Sequence, residues 1–174
     1  MFDRRPNCNP GADVSAAKEA DTIDGQFQIR GKIRMTTTGP FELDPRLKAD
    51  TLAITKLGLC ELRLMNDRRW PWLLLVPQRA GVSEFFDLTP LDQTMLSFEV
   101  GLVAKPFKAL TGCDKLNIAT IGNVVSQFHC HIVARSDGDS NWPRPVWGFG
   151  SAEPYETDAA KAFIDEISRA VMPV

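Results

Sequence analysis

The sequence predicts an α+β domain built on a mainly antiparallel sheet. Three observations point there. Short apolar or alternating runs of strand length recur between residues 60 and 134. Several of them are joined by connections too short for a crossover helix, which antiparallel pairing tolerates and parallel pairing does not. Two longer segments, 90–112 and 158–171, carry apolar residues at helical spacing.

The 174-residue length predicts one main domain, and 44% hydrophobic with 24% charged residues is ordinary for a globular chain. Lys+Arg 20 against Asp+Glu 22 gives a net charge of −2, with a pI near 5.7. That excludes a protein that coats nucleic acid through many phosphate contacts, but not a small phosphate-bearing ligand. No run approaches the roughly 18 apolar residues of a membrane span; the longest, Trp70 to Pro77, is strand-sized. No secretory h-region is visible at the N-terminus. The four cysteines, at 8, 60, 113 and 130, form no C-x-x-C pair. Reduced thiols in a cytoplasmic protein are the expectation.

Residues 1–34 show no sustained period, and a poorly ordered N-terminal extension is expected there. Met35 opens Met-Thr-Thr-Thr-Gly-Pro-Phe, so translation is expected to begin at Met35, with 35–174 as the domain. Asp44-Pro45 reads as an N-cap followed by proline at N1. Leu47, Thr51, Ile54 and Leu57 then share a helical face, predicting a helix that Gly58 stops. Cys60 to Asn66 alternates and predicts a half-buried strand; Asn66-Asp67-Arg68-Arg69 reads as a solvated polar turn. Trp72 to Val76 is continuously apolar, a central strand closed by Pro77. Thr89-Pro90 starts a second helix, with Leu91, Met95, Phe98, Leu102 and Val103 at helical spacing, a kink expected at Pro106 and a stop at Gly112. Leu116 to Ile121 and Phe128 to Ala134 predict two more strands, joined by a turn at Gly122-Asn123. Residues 137–155 read as loop, and Asp158 to Val171 as the last helix.

The two histidines, His129 and His131, stand in Gln127-Phe128-His129-Cys130-His131-Ile132-Val133. The period of a strand puts Gln127, His129 and His131 on one face and Phe128, Cys130 and Ile132 on the apolar other. The two histidines would then lie about 6.5–7 Å apart at Cα. Three readings fit this spacing: two hydrogen-bonded structural histidines, a pair of metal ligands completed by Cys or carboxylate, or a histidine nucleophile with a polar partner. Imidazole, with an ordinary pKa near 6.5, is largely neutral and nucleophilic at physiological pH. No G-x-x-x-x-G-K-[ST], H-E-x-x-H or G-x-S-x-G motif is present, and Gly148-Phe149-Gly150 lacks the strand-to-helix setting of a dinucleotide site. Of the tryptophans, Trp142, in a polar loop, is the most open to a ligand role.

Taken together, Leu73-Leu-Leu-Val-Pro-Gln-Arg79, Phe86-Asp-Leu88, Lys115-Leu-Asn-Ile118, Gly122-Asn123, Gln127-Phe-His-Cys-His131 and Trp142-Pro143 resemble the histidine triad (HIT) family over about residues 41–150. The likeness is greatest to a bacterial branch of diadenosine-polyphosphate-hydrolase-like proteins, which carries Gln in place of the first histidine. The resemblance implies a HIT-like α+β fold, an antiparallel sheet of about five strands with a long helix packed against it, paired into homodimers. It implies a nucleotide conjugate as the small-molecule partner, no cofactor and no metal. It also implies attack on the α-phosphate by His129, the middle histidine, through a nucleotidyl-histidine intermediate. His131 matches the position that contacts phosphate or leaving group. Asn117 and Asn123 match polar residues that hold phosphate or neighbouring groups, Gln127 the first triad position, and Asn66 (or Asp67) the ribose contact. Two positions depart from the pattern: Gln127 cannot titrate, and Trp72 stands where many members have a further histidine. The alternatives are a non-catalytic nucleotide-binding protein of the same fold and, third, a metal-dependent hydrolase.

Overall fold

The computed structural model describes residues 39–172. The chain divides into Met1–Arg34 and Met35–Val174, and the described residues belong to the second unit. The expected disorder of residues 1–34 and the expected start at Met35 lie outside the described residues.

Asp44 caps the first helix, α1 (Pro45–Asp50), its carboxylate accepting from the Arg46 N–H at 2.8 Å. The helix expected to reach Leu57 ends at Asp50, and Thr51–Lys56 is instead the edge strand β1. The correction has a physical reason. Thr51, Ile54 and Thr55 are β-branched and fit an extended backbone better than a helix. Thr51 is also tied across the sheet: its hydroxyl accepts from Arg63 Nε at 2.5 Å and its carbonyl from Arg63 Nη2 at 3.0 Å. These long-range bonds outweigh a local apolar period.

Strands β2 (Cys60–Met65), β3 (Trp72–Pro77), β4 (Lys115–Ala119) and β5 (Cys130–Arg135) complete a five-stranded sheet of order β1-β2-β3-β5-β4, antiparallel at every pairing. The fold class is therefore α+β, as the sequence predicts. Register sorts the side chains onto two faces. Leu64, Leu73, Ile132 and Ile118 form one cross-strand row, and Arg63, Leu74, His131 and Ala119 form a row on the opposite face. The β4–β5 connection is longer than the turn expected at Gly122-Asn123, because β4 stops at Ala119 and β5 starts only at Cys130.

The first face packs beneath two helices, α2 (Pro90–Thr111) and α3 (Thr157–Val171). Thr89 caps α2 by accepting from the Asp92 N–H at 3.1 Å, and Gly112 ends it at φ 63°, a left-handed conformation that suits glycine. The helix runs through Pro106 as a single element. It buries Leu96, Val103 and Phe107 and leaves Leu91, Phe98 and Leu102 outward. Each fully buried side chain of this kind contributes about 1.5–3 kcal/mol. Glu99, buried among them, accepts from the Leu59 and Cys60 N–H groups at 2.6 and 2.9 Å and so fastens the β1–β2 turn to α2.

The second face is covered by chain rather than by long helices. Leu47 and Val146 pack with Trp70, Trp72, Leu74 and Val133. The loop after β5 is held by Arg135, whose guanidinium lies in the core, pairs with Asp139 at 2.7 Å and donates to the Arg144 carbonyl at 2.9 Å. His131 projects from the sheet on this second face.

Candidate active site

The lead-in to β5 fixes the site. Phe128 donates its N–H to the Val82 carbonyl at 3.0 Å and packs near Phe85, so the chain is anchored before the strand begins. Phe128, Cys130 and Ile132 turn into the helix-covered core, as the alternation predicts. His129 precedes β5, yet its ring lies against that of His131, with centroids 4.7 Å apart and planes at 83°.

The two imidazoles have different partners. His129 Nδ1 lies 2.7 Å from the Gln127 carbonyl oxygen. A carbonyl only accepts, so Nδ1 carries a proton, and in the neutral ring the lone pair is on Nε2. His131 Nδ1 accepts from the Trp72 indole N–H at 3.0 Å. When His131 is neutral, its proton therefore sits on Nε2, and this remaining ring N–H donates to the Ile121 backbone. The His131 pKa is lowered to about 3, chiefly by burial and in smaller part by the adjacent His129, with the Ile121 bond opposing both. His131 is thus neutral at physiological pH. The rings of Trp72 and Trp147 pack against it at 5.3 and 5.5 Å.

His129 lines a cleft of about 490 Å³, with Ser83, Thr120, Gly122, Asn123 and Ser126 on its walls. The structure thus brings Asn123 to the nucleophile candidate. The loop that carries Asn123 is braced by Arg46, whose Nη1 donates to the Val124 carbonyl at 3.2 Å.

The other candidate residues lie elsewhere. The Gln127 side chain donates to the Glu42 carbonyl at 2.8 Å and accepts from the Asp44 N–H at 2.9 Å, so it holds the segment leading into α1. Its contribution to the histidines is its backbone carbonyl. Asn117 pairs with Val133 across the β4–β5 ladder, and its Oδ1 accepts from Arg135 at 3.4 Å. Asn66 Oδ1 accepts from the Tyr155 N–H at 3.0 Å on a second cleft of about 430 Å³, whose wall includes Trp72 and Trp147. Asp67 lines the same cleft; burial raises its pKa, but the Arg69 hydrogen bonds outweigh that and hold the carboxyl below the usual range.

One reading of the polar turn needs correction. Arg69 is not a solvated turn residue: it pairs with Asp67 at 2.5 Å, donates to the Phe149 carbonyl at 2.7 Å and lies 4.4 Å over the Trp70 ring. Trp142 is the most exposed of the four tryptophans, as its polar loop suggests, with the Arg135 guanidinium 5.6 Å over its ring. Sequence reasoning missed Trp72 as a partner of His131. The signal was present, since Trp72 occupies a position where the resemblance expects a histidine, but only the register Trp72↔Val133 shows that the indole can reach the ring two residues away. Nothing in the sequence marks Trp147.

Among the described residues, no group of three or more His, Cys, Asp or Glu is placed to hold a metal ion. No helix among them is long and apolar enough to cross a membrane.

Comparison with known proteins places the chain in a family. The HIT domain family matches residues 46–138. A histidine triad protein from Sinorhizobium meliloti 1021 is 56% identical, with 75% of this chain and 96% of that chain covered and a TM-score of 0.74. Histidine triad proteins from Bradyrhizobium japonicum and Marinobacter aquaeolei VT8 are 41% and 38% identical, each with a TM-score of 0.75. They cover 77% and 76% of this chain, and 100% and 97% of their own lengths. A comparison with curated proteins finds no match. With a domain match over more than half its length and close structural relatives that share its fold, this chain is a member of the histidine triad (HIT) family.

Proposed function

We propose that this protein is a nucleotide-phosphate hydrolase or transferase that cleaves at the α-phosphate of a nucleotide conjugate through a nucleotidyl-histidine intermediate on His129. The observation that carries the reading is the 2.7 Å bond from His129 Nδ1 to the Gln127 carbonyl, which leaves the lone pair on Nε2 in a residue that lines a polar cleft. Nε2 attacks phosphorus; the bond from phosphorus to the leaving group breaks, and the leaving group departs with the electron pair and takes up a proton from solvent water. Water or another hydroxyl acceptor then attacks the same phosphorus and gives up its proton to solvent; the N–P bond breaks, the electron pair returns to Nε2 and the nucleotide is released. Asn123, on the same cleft, is suited to hold a phosphate oxygen, and Asn66 or Asp67 on the neighbouring cleft a ribose hydroxyl.

We further propose that two chains pair. Among the described residues, strand β4 is an edge strand of the sheet, where Ile118 is 50% exposed, and Leu91 and Phe98 of α2 are 71% and 63% exposed. An open strand edge and exposed apolar side chains are what a second copy would cover. Light scattering is expected to give a dimer; a monomer at micromolar concentration contradicts this part. The free, buried thiols of Cys60, Cys113 and Cys130 suit a reducing, cytoplasmic setting.

The test of the reaction is nucleotide release, followed by chromatography. Wild type and His129→Ala are incubated with nucleoside phosphoramidates, acyl-adenylates, sugar nucleotides and dinucleoside polyphosphates, with and without chelator. Release by wild type, unaffected by chelator and lost in His129→Ala, is the expected result. Release by both removes the nucleophile assignment. Nucleotide binding without release by wild type makes the protein a non-catalytic nucleotide binder.

A further inference from the structure

The indole of Trp72 is engaged in a way the reaction above does not use. Its N–H meets His131 Nδ1 at 3.0 Å in a buried setting, with Trp72 itself 6% and His131 4% exposed. An indole nitrogen donates and never accepts, so this bond is possible only when Nδ1 is bare. The packing leaves little room for an alternative. Trp147 lies 5.7 Å from Trp72 and 5.5 Å from His131, both close to edge-on, so the three rings form one interlocked cluster on the sheet face. Trp70 buttresses Trp72 from another side at 6.5 Å and is itself tied to the Ser140 carbonyl at 3.1 Å.

We propose that Trp72 is a positioning residue, which holds His131 as the neutral tautomer protonated on Nε2 and so makes it a fixed hydrogen-bond donor beside His129. The proposal rests on the reading of His129 as the nucleophile. With Nδ1 occupied, His131 has no free lone pair and cannot take a proton from substrate or water. What it offers is one N–H, directed in the free protein to the Ile121 backbone on the wall of the cleft that His129 lines. A phosphate or leaving-group oxygen that takes the place of that carbonyl receives a hydrogen bond from a ring whose orientation is already set. Its neutrality also spares His129 a second positive charge when the phosphoryl group is transferred. A lone imidazole at this position would divide between two tautomers, and only one of them donates from Nε2.

The experiment is nitrogen NMR of the full chain labelled at the histidine ring nitrogens. The chain has two histidines, so His129→Ala leaves the His131 ring as a single signal pair and assigns it. At pH 7, wild-type His131 is expected as the pure Nε2–H tautomer, and Trp72→Phe, which keeps an aromatic ring but removes the donor, as a mixture. An Nδ1–H tautomer in the wild type overturns the proposal without any variant. Persistence of the pure Nε2–H tautomer in a folded Trp72→Phe overturns it as well. With a substrate that the wild type turns over, Trp72→Phe is expected to lower kcat about tenfold, the scale of one transition-state hydrogen bond, with KM little changed. A rise in KM alone would make Trp72 a part of substrate binding and refute the positioning role. If the wild type releases no nucleotide, the reaction reading fails while the tautomer measurement still decides what Trp72 does.

Discussion

Lowering the pH from 7 to 5 should destabilise this protein through His131. His131 has an ordinary pKa of 6.5 that is lowered to about 3 in the fold. Desolvation is the largest cause, and the nearby His129 adds to it. A group with a lowered folded pKa contributes its full stability above the unfolded value. It loses that contribution as pH falls toward the folded one, because the unfolded chain takes up the proton first. Between pH 7 and pH 5 the unfolded imidazole goes from mostly neutral to mostly charged, while His131 in the fold stays neutral. At about 1.36 kcal/mol per pH unit below 6.5, and allowing for the partial protonation already present at pH 7, the loss is about 2 kcal/mol. For a domain of this size that is a fall in Tm of roughly 4–8 °C. Asp67, Asp92 and Asp139 also have lowered pKa values, but their losses fall below the ordinary carboxylate value of 3.8, outside this window. The assay is urea denaturation of wild type and His131→Gln at pH 7, 6 and 5. Only the pH slope is compared, so the variant's own destabilisation cancels. A wild-type slope no steeper than that of the variant would show that His131 takes up protons in the fold as readily as in the unfolded chain, and the buried neutral imidazole would be refuted.

Two further expectations concern stability and the first triad position. Glu99→Ala removes the acceptor for the Leu59 and Cys60 N–H groups and leaves both buried, so it should cost about 3 kcal/mol in denaturant midpoint experiments; a cost below 1 kcal/mol would mean that water replaces the carboxylate. Gln127→Ala removes the bonds to Glu42 and Asp44 but keeps the backbone carbonyl that orients His129, so stability should fall by about 1–2 kcal/mol while kcat stays within a few-fold of wild type; a kcat loss of a hundredfold or more would place the side chain in the chemistry.

Much of the fold was legible because local and tertiary signals agree. Thr89-Pro90 and Gly112 mark both ends of α2 through cap chemistry that depends only on neighbouring residues. The alternation from Phe128 to Val133 sorts core from site because one face of the sheet is buried beneath helices. The reading failed at 51–57, where an apolar period of helical length was overruled by Arg63, a residue of another strand. It also failed at Arg69, since a charged turn looks solvated until the loop near Phe149 returns to cover it. The site divides in the same way. The two histidines and Asn123 could be named from their motif, because they lie close together in the chain. That Asn66 is engaged by Tyr155, Asn117 by Arg135 and Gln127 by Glu42 could not, because each contact depends on a segment whose path is set by the whole fold.

The two positions that depart from the family pattern acquire a common meaning in this geometry. Each imidazole has its Nδ1 engaged, but in opposite senses. A backbone carbonyl accepts from His129, and an indole N–H donates to His131. The result is a matched pair in which one ring presents a lone pair on Nε2 and the other a proton on Nε2. A histidine at position 72 could serve either as donor or as acceptor, so its own protonation would decide the state of His131. An indole has no such freedom, and neither does a peptide carbonyl. Gln127 likewise supplies its backbone to His129 while its non-titrating side chain fastens the segment before α1. The loss of two titratable groups therefore does not leave the pair unsupported. It moves the control of both tautomers to groups whose protonation does not change with pH.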